Sequence, residues 1–143
     1  MKKLLYLLAV TSIVLASCKK EGCTDPEAVN FCEDCKKDDN TCTFEGSTVL
    51  WYGKTVSDST QASGITSFSY TIDSKVAGSS ASNVYYTVKP TCGENGSITY
   101  TKDLGKDKSK TVAYEVKDNT GLVLWSGNVD LKANTCVETE LTW

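Results

Sequence analysis

The sequence has 143 residues, 15 basic and 18 acidic, for a formal charge of −3, and it contains no histidine. Every basic residue is a lysine. The chain therefore lacks the imidazole of a Ser-His-Asp or Cys-His nucleophile and the guanidinium that clamps phosphate or carboxylate at two points. An acidic balance with no basic stripe argues against nucleic acid as a partner.

The chain opens as an export signal. Met1-Lys2-Lys3 is a short basic start, and Leu4 to Leu15 is mostly apolar. That stretch of about twelve residues is too short to cross a bilayer but right for the core of a signal peptide. The run Leu15-Ala16-Ser17-Cys18 resembles a bacterial lipobox. The resemblance implies a signal peptide over residues 1–17, cleavage before Cys18, a lipid on its thiol and an acyl group on its new amine. Residues 18–21 then form the lipid anchor and linker. One acyl chain holds a protein reversibly, and two or more hold it stably. Loss of Lys2 and Lys3 makes the chain two units more negative. The expected location is the cell envelope, at the outer membrane, facing the periplasm or the surface. Lys19-Lys20-Glu21 carries only one acid, a weak signal for surface export.

Seven cysteines is an odd count. Assigning Cys18 to lipid leaves Cys23, Cys32, Cys35, Cys42, Cys92 and Cys136, an even set in an oxidising compartment where disulfides persist. Four fall between residues 23 and 42 and two lie far downstream. The spacing predicts local pairing within the first group, in a connectivity that sequence does not choose, and a Cys92–Cys136 bridge in the second.

Residues 22–43 are too short and too polar to hold themselves by a core, so staples must do it. Asp25 suits the cap of a helical turn with Pro26 at its first position. The pattern Cys23-Thr24-Asp25-Pro26, then Asn30-Phe31, then Asp38-Asp39-Asn40-Thr41-Cys42 resembles a short module of exported Bacteroidota proteins. This chain departs from it at Phe31, where tyrosine is usual, at Asn40-Thr41, where Gly-Ser is usual, and in carrying Cys32 and Cys35 in the middle stretch. The resemblance implies Cys23–Cys42 as the outer bridge, leaving Cys32–Cys35 as an inner one. Two metal readings compete. Four thiolates would suit zinc, but a second Cys-x-x-Cys is missing and the compartment oxidises thiols. Asp25, Glu33, Asp34, Asp38 and Asp39 would suit calcium, but the loop with a central glycine and terminal glutamate is missing. A solvated acidic loop is the simpler reading, and Cys32-Glu33-Asp34-Cys35 lacks the strand–helix setting of a redox motif.

Residues 44–143 read as strands. Val49 to Tyr52 opens the pattern. Phe68, Tyr70 and Ile72 alternate with polar residues, as do Val84, Tyr86 and Val88. Ile98 and Tyr100 follow, then Val112, Tyr114 and Val116, then Leu122 to Trp125 with Val129 and Leu131, and last Val137, Thr139, Leu141 and Trp143. Period-two alternation of β-branched and aromatic residues means half-buried strands. Turn signals fall at Gly78-Ser79-Ser80, Gly93 to Gly96, and Asp118 to Gly121, and no stretch shows a helical period. The prediction is an all-β fold, an antiparallel β-sandwich of seven to eight short strands, preceded by the stapled module. Val49-Leu50-Trp51-Tyr52, Pro90 to Gly93, Gly121 to Gly127 and Ala133 to Cys136 together resemble a β-sandwich domain of small exported Bacteroidota lipoproteins. That resemblance brings no enzymatic activity with it.

Several residues are candidates for chemistry or binding. Trp51, Tyr52, Tyr85, Tyr86, Trp125 and Trp143 would make a sugar-stacking platform if exposed together, but alternate aromatics in a sandwich are usually core. Asp73, Asp103, Asp107, Glu115 and Asp118 form no evident acid–base pair. Lys102 to Lys110 reads as a solvated mixed-charge loop. Asp58-Ser59-Thr60 resembles the Bacteroidota O-glycosylation signal, and its polar surroundings from Thr55 to Gly64 suit exposure of Ser59. The sequence thus predicts a membrane-anchored, non-enzymatic envelope lipoprotein with a structural or binding sandwich, without cofactor or metal, and with a glycan or an envelope protein as partner. The alternative is a glycan- or peptide-binding accessory module of an envelope transport system.

Overall fold

The computed structural model describes residues 20–143; the signal peptide and Cys18 lie outside them. Seven strands and one helix follow the short module: β1 (Phe44–Trp51), α1 (Lys54–Ala62), β2 (Ser67–Ile72), β3 (Lys75–Ala81), β4 (Ile98–Gly105), β5 (Ser109–Asp118), β6 (Val123–Lys132) and β7 (Cys136–Glu140). They form a three-stranded sheet ordered β4-β1-β7 and a four-stranded sheet ordered β3-β2-β5-β6. No helix of the described residues is long and apolar enough to cross a membrane.

The two sheets pack face to face as a β-sandwich. From the first, Phe44, Leu50 and Leu104 point inward; from the second, Phe68, Tyr70, Ile72, Val112, Val116, Val129 and Leu131 meet them. Alternation along each strand puts these side chains on one face, and their burial supplies the driving force. Thr48 is also buried, with its hydroxyl donating to the carbonyl of Val137 at 2.7 Å, so the core carries no cost for it.

Four expectations are corrected. The sandwich is not wholly antiparallel: β1 pairs with β7 in parallel, Ser47 opposite Cys136 through Trp51 opposite Glu140. The polar stretch after β1 is a helix; its buried positions are Val56, Ser57 and Thr60. Two of these three are hydroxyls that donate to carbonyls, Thr60 within the helix to Val56 and Ser57, and Ser57 across to Ser82 at the start of the segment after β3. Gly78-Ser79-Ser80 is not a turn but the middle of β3. The turn before it is Asp73-Ser74, both at positive φ. Finally, Val84 to Val88 is not a strand, and Val84 and Val88 are exposed.

Residues 82–97 instead cross the outer face of the three-stranded sheet. Glu138, Val49 and Thr99 are neighbours in one row of that sheet. Lys89 pairs with Glu138 at 3.3 Å, and the Gly93 N–H donates to the Thr99 hydroxyl at 2.8 Å. The segment between Lys89 and Gly93 therefore passes over Val49, which has no exposed surface although it points away from the core. Pro90, in that segment, is likewise fully buried. A sandwich with one face covered this way hides apolar surface that would otherwise face water.

Candidate functional site

The module comes first in the chain and sits at the end of the sandwich where β1 begins. Its disulfides join Cys23 to Cys42 and Cys32 to Cys35, with Cα atoms 4.8 and 5.3 Å apart, and a third joins Cys92 to Cys136 at 5.7 Å. Residues 20 and 21 are part of the module rather than a free linker. The Lys36 N–H donates to the Lys20 carbonyl, and Glu21 bridges to Lys37. Nor does the module hang free of the sandwich. Cys23 and Ala28 pack into the same apolar cluster as Phe44. Lys108, at the β4–β5 turn, reaches Asp25 at 2.6 Å and Glu27 at 2.8 Å while lying 5.4 Å above the Phe44 ring.

This docking leaves a groove of about 470 Å³ between the module and the outer face of the three-stranded sheet. Glu27 lines it from the module, Glu45 and Ser47 from β1, Thr101 from β4, Asn134 from the β6–β7 turn, and the Cys92–Cys136 bridge closes one side. Ser47 and Thr101 share a hydroxyl hydrogen bond of 2.8 Å across neighbouring strands. The lining offers carboxylates, hydroxyls and an amide, which suits hydrogen bonding to a polar ligand. It offers no nucleophile beside a base. These residues come from five parts of the chain, so only topology unites them; the two cysteines beside it were the one sequence signal.

The aromatic candidates do not form one platform. Tyr52 is buried with its hydroxyl donating to the Ala81 carbonyl at 3.0 Å, and burial pushes its pKa up. Trp51 is half-buried, and its Nε1 has no partner among the described residues. A continuous line does run outward: Tyr52 meets Phe68 edge-on at 5.3 Å, Phe68 meets Trp125 at 5.5 Å, and Trp125 meets Trp143 at 4.6 Å. Trp125 Nε1 donates to the Thr142 carbonyl at 2.9 Å, holding Trp143 over it. Trp143 is 64% exposed. It lies at the far end of β1, where the Leu141 N–H donates to the Trp51 carbonyl. Tyr85 is exposed on the crossing segment, and Tyr86 is half-buried there.

Most of the charged candidates are engaged in structure; Asp107, Glu33 and Asp34 are exposed. Asp73 accepts from Tyr100 and pairs with Lys102, which holds its carboxyl below the usual range and ties the two sheets at one edge. Asp103 accepts the Gly105 N–H, and Glu115 pairs with Lys117. Asp118 accepts from the Thr120 hydroxyl and from the Thr120 and Leu122 N–H groups, which lowers its pKa. Of the acidic module residues, Asp25 caps Glu27, and Asp38 and Asp39 accept the N–H groups of Asn40 and Thr41. Among the described residues no three His, Cys, Asp or Glu side chains converge as a metal site needs. Ser59 is exposed, on α1 rather than in a loop, with its hydroxyl donating to the Thr55 carbonyl at 2.9 Å. No family model, curated protein or solved structure matches the chain.

Proposed function

We propose that this is a lipid-anchored protein of the bacterial cell envelope, tethered through Cys18, whose sandwich binds or supports and does no chemistry. The observation that carries the reading is the polarity of the fold. Lys20, two residues after Cys18, belongs to a module at the start of β1, whereas exposed Trp143 lies at the end of β1. Eight residues of strand separate the two poles by roughly 25 Å at about 3.3 Å per residue. A lipid at Cys18 would leave the Trp143 pole facing away from the bilayer. The three disulfides accord with export. Replacing Cys18 by serine should abolish incorporation of a labelled fatty acid and release the protein from the membrane fraction. Unchanged processing and attachment in that variant would overturn the proposal.

A second reading, a glycan- or peptide-binding accessory module beside an envelope transporter, is favoured by the Trp143 ring standing exposed on Trp125. A ring held by a neighbour stacks on an apolar sugar face or a peptide side chain with little ordering cost.

A further inference from the structure

We propose that Asn95 is a self-modifying site, at which the folded protein converts its own asparagine to aspartate and isoaspartate. Asn95-Gly96 is the chain's one Asn-Gly pair. The Ser97 N–H donates to the Glu94 carbonyl at 3.0 Å, closing a four-residue turn with Asn95 and Gly96 at its centre. Gly96 has φ +85° and Asn95 does not lie at positive φ, the pattern of a type II turn. Both residues are exposed. Neither the Asn95 side-chain amide nor the Gly96 N–H is hydrogen-bonded among the described residues.

Three conditions for intramolecular attack thus meet at one place. The nucleophile is unhindered, because glycine carries no side chain beside its nitrogen and turns at little cost. The side-chain carbonyl is free to swing towards it. Water reaches both. The other asparagines with assigned bonds differ. The Asn30 amide donates to the Thr41 carbonyl and its oxygen accepts from Thr43, while the Asn119 oxygen accepts from the Thr66 N–H. Each is followed by a residue with a side chain.

The chemistry balances with water as the only co-reactant. The Gly96 amide nitrogen attacks Asn95 Cγ; that C–N bond forms, the bond from Cγ to the side-chain nitrogen breaks, and ammonia leaves with the proton the backbone nitrogen gave up. The product is a five-membered cyclic imide. Water then adds to either imide carbonyl. Opening at one gives aspartate, and opening at the other gives isoaspartate, with an extra methylene in the main chain. Each conversion adds one negative charge beside Glu94 and close to the Tyr86 hydroxyl, which lies 3.8 Å from where a Gly96 Cβ would stand. The isoaspartate product also lengthens the turn that follows the Cys92 anchor of the crossing segment.

The test is peptide mapping of the full chain, disulfides intact, incubated in heavy-oxygen water at neutral and mildly alkaline pH. The Asn95 peptide should gain acid several-fold faster than the Asn119 peptide of the same sample. It should incorporate heavy oxygen, speed up with pH, and appear as both isomers. Asn95→Asp supplies the reference for one product. Equal rates at Asn95 and Asn119, aspartate alone without isoaspartate, or conversion only after denaturant is added would each overturn the proposal. Gly96→Ala should slow the reaction, and an unchanged rate in that variant would also count against it.

Discussion

Gly46 and Gly127 stand where side chains are forbidden for different reasons. A Cβ on Gly46 would come 2.8 Å from the Lys132 carbonyl oxygen, a backbone atom of the opposite sheet. A Cβ on Gly127 would come 2.9 Å from the Tyr114 ring, whose edge lies across it from the neighbouring strand. Backbone in a paired strand cannot give way, whereas a ring can turn. Gly46→Ala should therefore cost at least the upper part of the roughly 1–3 kcal/mol usual for overpacking, and Gly127→Ala the lower part. Urea unfolding of the two single variants measures the order. In a Tyr114→Ala background the Gly127→Ala penalty should vanish, a coupling that a double-mutant cycle reads directly. Neither role was legible in the sequence: Gly46 precedes the strand pattern that opens at Val49, Gly127 falls at the break between Trp125 and Val129, and the clash partners lie on other elements. The Asp118 turn, by contrast, was legible, because an aspartate followed by Asn-Thr-Gly is itself the set of donors and conformations a tight turn uses.

At the level of elements, the crossing segment depends on its staple. Cys92–Cys136 fixes the segment over the row containing Val49, where the neighbouring ties, Lys89 to Glu138, Gly93 to Thr99 and the Tyr86 N–H to the Tyr52 carbonyl, are single polar contacts. Replacing both cysteines by alanine should lower stability by roughly 2–5 kcal/mol. It should also open Trp51, on the same outer face, to an aqueous fluorescence quencher while peptide mapping still finds Cys23–Cys42 and Cys32–Cys35 intact. Unchanged quenching would mean that the segment holds its place without the bridge. The alternation of Val84, Tyr86 and Val88 is what made this segment look like a strand. Its side chains alternate, but its backbone makes isolated bonds, the Val84 N–H to the Ala81 carbonyl and the Tyr86 N–H to the Tyr52 carbonyl, rather than a ladder. Helix α1 hid for the opposite reason: its buried stripe is mostly hydroxyl, so hydrophobic periodicity had nothing to register. β3 hid because an edge strand needs few large side chains, and Gly78 leaves room for Ile98. The strands that were read well, β2, β5 and β6, are those whose inward residues build the core.

Across the whole molecule, Lys108 joins two units that the sequence presents as separate. Its bond to Asp25, helped by the Glu27 N–H, holds the Asp25 carboxyl below its usual pKa. A carboxyl whose pKa is depressed in the docked state stabilises that state fully above its ordinary value, and the contribution is lost as pH falls through the depressed one. Hydrogen exchange at the Val29 and Cys32 amides should therefore stay slow at neutral pH and accelerate only below the ordinary carboxylate range, with β2 and β5 amides unaffected. Lys108→Met should bring that acceleration to neutral pH; if it does not, burial of Cys23 and Ala28 alone holds the module. The groove beside the module was illegible in sequence because its walls exist only once this docking occurs. The parallel pairing of β1 with β7 bears finally on the order of assembly. Ser47 and Cys136 are among the most distant partners in the chain, and loop closure must be completed before such contacts reward it. A chain delivered across a membrane from its amino terminus presents β1 first and β7 last. In a chain exported as proposed above, the central strand of the smaller sheet would wait with one edge unpaired until β7 had followed, while the disulfide module, closed within 20 residues of sequence, would already be able to fold.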